Sequence, residues 1–278
     1  MAAQESPPRP AATRPPRAAS ESEVGRLVRS WRVRRKLTQG ALAADTGVST
    51  RYLSFIETGR ARPSRAMVER LSEALAVPLD DRNEMLVVAG FAPIFPRTDL
   101  ADPELEPIRH ALGRLLSGSE PYPSAVVDRC WNIRATNRGA RVFTDGIETR
   151  DRGRPPNLVR LLLAPAGLAR LIVNIEEWGA SLVEQVRRRA ESTCDEAVRD
   201  LYEEVARYPG ISARTSGAAA SRTPLILRCP DGGVATELKF FVAATTFPMA
   251  RDATVEELSV ETFFPADENT RLYLIGKR

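Results

Sequence analysis

One glycine constrains this sequence more than any other residue. The stretch QGALAADTGVSTRYLSFIE, residues 39–57, is apolar-patterned and helix-forming, yet Gly47 interrupts it and Val48 and Ser49 follow at once. A continuous helix has no use for glycine there, because glycine costs about 1 kcal/mol against alanine in a helix interior. Two helices do have a use for it. Glycine enters the left-handed region without strain and can end the first helix. Val48 then turns inward at the corner and Ser49 caps the second helix. Ala43 is small where the two helices cross. The pattern predicts a helix-turn-helix with positive φ at Gly47.

The second helix carries a sharper signal. At about 100° per residue, Ser49, Tyr52, Leu53 and Ile56 share one face, and Thr50, Arg51 and Ser54 lie opposite. An ordinary solvated face would read the same way. The major groove of DNA, however, accepts an α-helix whose short polar side chains and arginine meet base edges, arginine reaching guanine O6 and N7 together. Charge favours DNA. Residues 1–97 hold 16 basic and 10 acidic side chains, whereas residues 98–278 hold 24 and 26. The basic excess sits in the first third, as a polyanion-binding region requires.

Around this motif the chain reads as two domains. Residues 1–20 contain five prolines and no branched apolar or aromatic residue, the composition of a disordered tail. Ser20, with Glu23 three residues on, has capping-box spacing for a first helix. Thr38, Ser49 and Ser64 are N-cap candidates for three more, the last stopped by Pro78, and LDDRNEMLVVAG gives a fifth closed by Gly90. Residues 21–92 therefore form an all-helical domain, and the proline- and acid-rich residues 93–107 form a linker. From 108 to 278 the pattern is α+β. YPSAVVDRCWNIRATN reads as two strands about a turn at Asp128-Arg129, with Asn137 capping a helix. Helices are expected near 157–173, 176–191 and 195–207, and ISARTSGAAAS is a loop. TPLILRC, a PDGG turn, TELKFFVAATTF and VEELSVETFF then supply strands.

Several function classes drop out. No run of 18 apolar residues exists to cross a membrane. The N-terminus lacks a signal-peptide layout, so a cytoplasmic protein, nucleoid-associated when on DNA, is expected. Cys130, Cys194 and Cys229 are too widely spaced for a disulfide framework or a zinc site. The one histidine, His110, is read as solvated surface and leaves no Ser-His or Cys-His pair. Phosphate-binding glycine motifs are missing. No enzyme, metal or resident cofactor is expected.

The run LTQGALAADTGVSTRYLSFIETGRARPSRAMVERLSEALAVP resembles the XRE-type helix-turn-helix family. From WRVRRKLTQGALA through FIETGRARPSR to LVVAGFAP it resembles one branch, the MmyB-like transcription regulators, and YPSAVVDRCWNIRATN, RLIVNIEEW and ELSVETFFPAD extend the likeness more loosely. The resemblance implies a multidomain protein: a lambda-repressor-like, all-α N-terminal domain and an α+β PAS-like C-terminal domain that holds a small apolar, fatty-acid-like ligand. It implies phosphate contacts from Gln39, Arg60 and Arg62, base-reading positions at Thr50, Arg51 and Ser54, and a structural role for Glu57. The family's usual acidic residue after the glutamine is Gly40 here.

The expected partners are double-stranded DNA and a second copy of the chain, since two-fold operators double the contact. Trp131, Phe241 and Phe263 are read either as plain core or as the lining of a ligand cavity. Arg134 and Arg138 are read either as solvated or as charges for a carboxylate head group. In the alternative reading the second domain is a ligand-free dimerisation or protein-interaction module.

Overall fold

The computed structural model describes residues 22–144, 155–193, 195–211, 223–231 and 234–276. The expected tail at 1–20, Cys194, the loop after Ile211 and the last two residues of PDGG lie outside these. The chain divides into two compact units. One comprises residues up to Ala76 together with Met85–Phe91, and the other comprises Val77–Glu84 and Ala92–Arg278.

The first unit is helical. It contains α1 (Glu23–Arg34), α2 (Gln39–Asp45), α3 (Thr50–Glu57) and α4 (Arg65–Ala74), with the second half of α5 (Leu79–Val88). Side-chain caps start the first four. Ser22, Thr38, Ser49 and Ser64 accept the backbone N–H of Gly25, Ala41, Tyr52 and Met67 at 3.1–3.3 Å. The first cap is therefore Ser22, and Ser20 lies outside the described residues. Glu23 opens the helix and is not the return arm of a capping box. α4 ends before Pro78, because Ala76 already turns left-handed at φ 46°. Val28, Trp31, Leu42, Leu53, Ile56, Leu71, Met85 and Leu86 are buried in this unit.

The second unit is a five-stranded antiparallel sheet with helices. Its strands are β1 (Ser124–Val127), β2 (Ile133–Thr136), β3 (Leu225–Asp231), β4 (Val234–Thr246) and β5 (Ser259–Pro265), in the order β2-β1-β5-β4-β3. Its helices are α6 (Glu106–Gly118), α7 (Arg141–Thr144), α8 (Leu158–Leu163), α9 (Ile175–Ser192), α10 (Glu196–Val205), α11 (Ala253–Glu257) and α12 (Glu268–Gly276). Strand alternation sends Ala125 and Val127 into a core with α8, α9 and α10, and sends Val126 to the other face with Leu112 and Leu116 of α6. Both faces of the β1–β5 pair are thus covered.

Three expectations need correction. The helix expected at 157–173 is broken: Ala164, ahead of Pro165, is extended, which proline favours for its predecessor, and α8 stops at Leu163. VEEL is not strand, because Asp252 caps α11 by accepting the Thr254 N–H at 2.8 Å. Residues 93–107 are packed within the second unit. Asn83 accepts the N–H of Ile94 and donates to Phe95 O, Arg97 pairs with Asp80 and Glu257, and Asp102 caps a 3-10 turn at Pro103–Leu105.

Candidate nucleic-acid interface and ligand cavity

At the corner between α2 and α3, Gly47 has φ 66°, and the Val48 N–H donates to Ala43 O at 2.9 Å. This is the left-handed stop that the sequence required. Leu53 and Ile56 of α3 face inward, Thr50 and Arg51 are exposed, and Ser54 is half-buried. Ser49, placed by the helical wheel on the inner face, is exposed because its hydroxyl serves the Tyr52 N–H. The Arg51 guanidinium lies 5.3 Å from the Phe55 ring centre, which steadies it on the outer face. Arg60 and Arg62 are exposed just beyond the helix.

α3 is held from behind by a buried ion pair. Glu57 is 2% exposed and takes two hydrogen bonds from Arg32, at 2.6 and 2.8 Å, and one from the Gln39 amide at 2.7 Å. Burial works against its ionisation, but the bonds from Arg32 and Gln39 prevail and hold its carboxyl below the usual range. Gln39 is thereby oriented at the start of α2. α1 crosses close behind: a Cβ on Gly25 would lie 2.3 Å from Ile56 O.

The second site starts from the β1–β2 turn. The Asp128 carboxylate accepts from the N–H groups of Cys130 and Asn132 at 2.8 and 2.9 Å, and from Arg134 at 2.8 Å. This knot holds Trp131 at φ 59°, a strained conformation for an aromatic residue. Trp131, α8, α9 and strands β4 and β5 then line a partly open cavity of about 150 Å³. Trp131, Phe241 and Phe263 all border it, as do Leu162, Trp178, Ser181, Gln185, Thr223 and Glu261. Phe263 is buried, whereas Phe241 is 48% exposed at the rim. Arg134 and Arg138 border none of it, since Arg134 is tied to Asp128, so they offer no head-group charge there.

The charged group at this cavity is Glu261, which the sequence reading passed over. Strand alternation puts Ser259, Glu261 and Phe263 on one face of β5. Glu261 is 9% exposed and accepts from Ser259 Oγ at 3.2 Å. Burial raises its pKa, against the pull of Ser259 and Arg189. Arg189 stacks on Trp131 at 4.2 Å and donates to Arg129 O at 3.2 Å. A second hollow of about 200 Å³ lies around Asp80, Arg129, Arg189, Glu256 and Glu257. Arg129 there is paired with Asp195 at 2.5 Å, and Glu257 with Arg97 at 2.6 Å. The Cys130 thiol in the turn is pushed up to about 12, first by burial and then by Asp195 and Asp128, so it stays protonated.

No helix among the described residues is long and apolar enough to cross a membrane. A helix-turn-helix domain profile matches residues 23–85, and the profile of the MmyB-like transcription regulator ligand binding domain matches residues 108–274. An uncharacterized HTH-type transcriptional regulator of Mycobacterium bovis is 31% identical over 107 residues, which is 38% of this chain and 35% of that protein. The HTH-type regulator RghRB of Bacillus subtilis is 34% identical over 106 residues, 38% of this chain and 68% of that protein. The match thus spans about a third of the mycobacterial relative's length. With its second profile covering more than half of its length and a helix-turn-helix ahead of it, the chain belongs to the MmyB-like transcription regulators.

Proposed function

We propose that this chain is a cytoplasmic, sequence-specific transcriptional regulator that binds double-stranded DNA as a homodimer and answers to a small apolar ligand held in a PAS-like second domain. Thr50, Arg51 and Ser54 read base edges, and Gln39, Arg60 and Arg62 meet phosphate. The observation that carries the reading is the division of α3, whose apolar side is buried while its arginine and threonine stand exposed beside further exposed arginines. A single small domain buries little DNA, and a dimer on a two-fold operator doubles the contact. The aromatic cavity supports the sensor half.

The test is operator selection with the full chain, followed by titration of variants. Arg51→Ala is expected to relax preference at one or two base positions and to cost about 1–3 kcal/mol at the selected site. Arg60→Ala is expected to weaken all sequences alike and to flatten the salt dependence by about one unit of slope. An Arg51→Ala protein with unchanged affinity and preference would overturn the assignment of α3. Denaturing extraction and mass spectrometry of the purified protein address the sensor half. An empty extract, with no small molecule shifting the melting temperature, leaves the second domain as a ligand-free dimerisation or interaction module.

A further inference from the structure

We propose that the cavity between α8, α9 and the sheet takes a small aromatic amine, its ammonium on Glu261 and its ring among Trp131, Trp178, Phe241 and Phe263, and does not take a carboxylate head group. The inference rests on reading this cavity as the ligand site, and replaces a purely apolar ligand there by an aromatic one that carries an ammonium group.

Three observations carry it. The first is the charge that lines the wall. Glu261 is more than nine-tenths buried and borders the cavity, while the described residues lining it include no lysine or arginine. One carboxylate oxygen accepts from Ser259 Oγ, and among the described residues Glu261 makes no further hydrogen bond and no ion pair. Arg189, the nearby cation, is committed to the Trp131 ring and to Arg129 O. A donor-bearing or cationic ligand satisfies the free oxygen, whereas an acid would set two carboxylates side by side.

The second observation is the wall material. Two indoles and two phenyl rings line the same cavity as the carboxylate. Aromatic faces carry negative potential and attract cations, which is how aromatic cages recognise ammonium groups. The Arg189 guanidinium over Trp131 shows one such face already used for a cation. The third is size. At about 150 Å³ the space matches a cavity that accepts a single benzene-sized ring. A long acyl chain would extend out of it past the exposed Phe241.

The experiment titrates the full chain with benzylamine, benzyl alcohol, toluene and benzoate, four single-ring probes of nearly one shape, and with decanoate. Trp131 and Trp178 border the cavity, so intrinsic tryptophan fluorescence reads binding, and melting temperature is a second readout. Benzylamine is expected to bind on the order of tenfold tighter than benzyl alcohol and to exceed benzoate further. In Glu261→Gln the advantage of benzylamine over benzyl alcohol is expected to vanish while benzyl alcohol still binds. If that variant does not fold, the probe series on the native chain decides alone. Tighter binding of benzoate or decanoate, or equal binding of all the ring probes, overturns the amine assignment and leaves the cavity a ligand site. Binding of none of the five overturns both the assignment and the ligand reading of this cavity.

Discussion

At Gly47 an added Cβ would meet nothing within 4 Å, yet the backbone sits at φ 66°. The residue is glycine for its conformation and not for its size. Gly47→Val should therefore cost on the order of 1–3 kcal/mol, while Gly47→Asn, which tolerates the left-handed region, should cost much less. Chemical denaturation of both variants, with operator binding alongside, checks the contrast. Equal losses would mean that shape matters there after all. Gly25 is the opposite case, fixed by the 2.3 Å approach to Ile56 O. Gly47 could be recognised from its neighbours in sequence. Gly25 could not, because the atom it avoids is 31 residues away. Glu57 makes a second residue-scale prediction. Its pKa is lowered in the folded chain, so its pairing stabilises above the ordinary carboxylate range and is lost as pH falls through the folded value. Arg32→Ala leaves that carboxylate buried without its main partner and should cost about 3 kcal/mol near neutral pH. The gap between the variant and the native chain should close as pH drops below about 4. A gap independent of pH would show that Arg32 acts by packing alone.

Elements were readable where a local cap or periodicity decided them, VEEL excepted, and contacts to partners far along the chain were not. Thr38, Ser49 and Ser64 begin their helices as their chemistry dictates. The β1–β2 turn fell at Asp128 because its carboxylate can gather the N–H groups that follow. VEEL looked like strand because its β-branched and apolar residues run into a genuine strand, and the deciding cap, Asp252, lay upstream. Glu261 was missed although alternation along SVETF places it on the side of Phe263. The start of α5 was legible at Leu79 with its acidic first turn, but the partner of its first N–H was not: the Leu79 N–H is accepted by Glu256 Oε2 at 2.7 Å, 177 residues on. Glu256→Ala should then behave as the loss of a helix cap, costing about 1 kcal/mol, and Glu256→Gln, which keeps an acceptor oxygen, should recover most of it. Urea denaturation separates these outcomes, and an unaffected alanine variant would show that water replaces the cap.

For the whole molecule, the division into a helix-turn-helix part and an MmyB-like ligand-binding-domain part was visible in the shift of charge and periodicity near residue 97, but the boundary was not so simple. The one continuous helix α5 gives Leu79–Glu84 to the second unit and Met85–Val88 to the first. A ligand can act on DNA binding only through a difference in its affinity for two states of the chain. Thermodynamic linkage then makes the effect reciprocal: a factor by which the ligand changes operator affinity is the factor by which operator changes ligand affinity. With benzylamine as the probe, its affinity should differ between the free chain and the operator-bound chain by about fivefold or more, and operator affinity should shift by the same factor at saturating benzylamine. Fluorescence titration gives the first number and an electrophoretic or anisotropy titration gives the second. Agreement between the two, different from one, makes the cavity a regulatory site. Binding with both factors at one would leave a pocket that is filled without consequence for DNA, and the sensor reading would fall while the amine assignment stood.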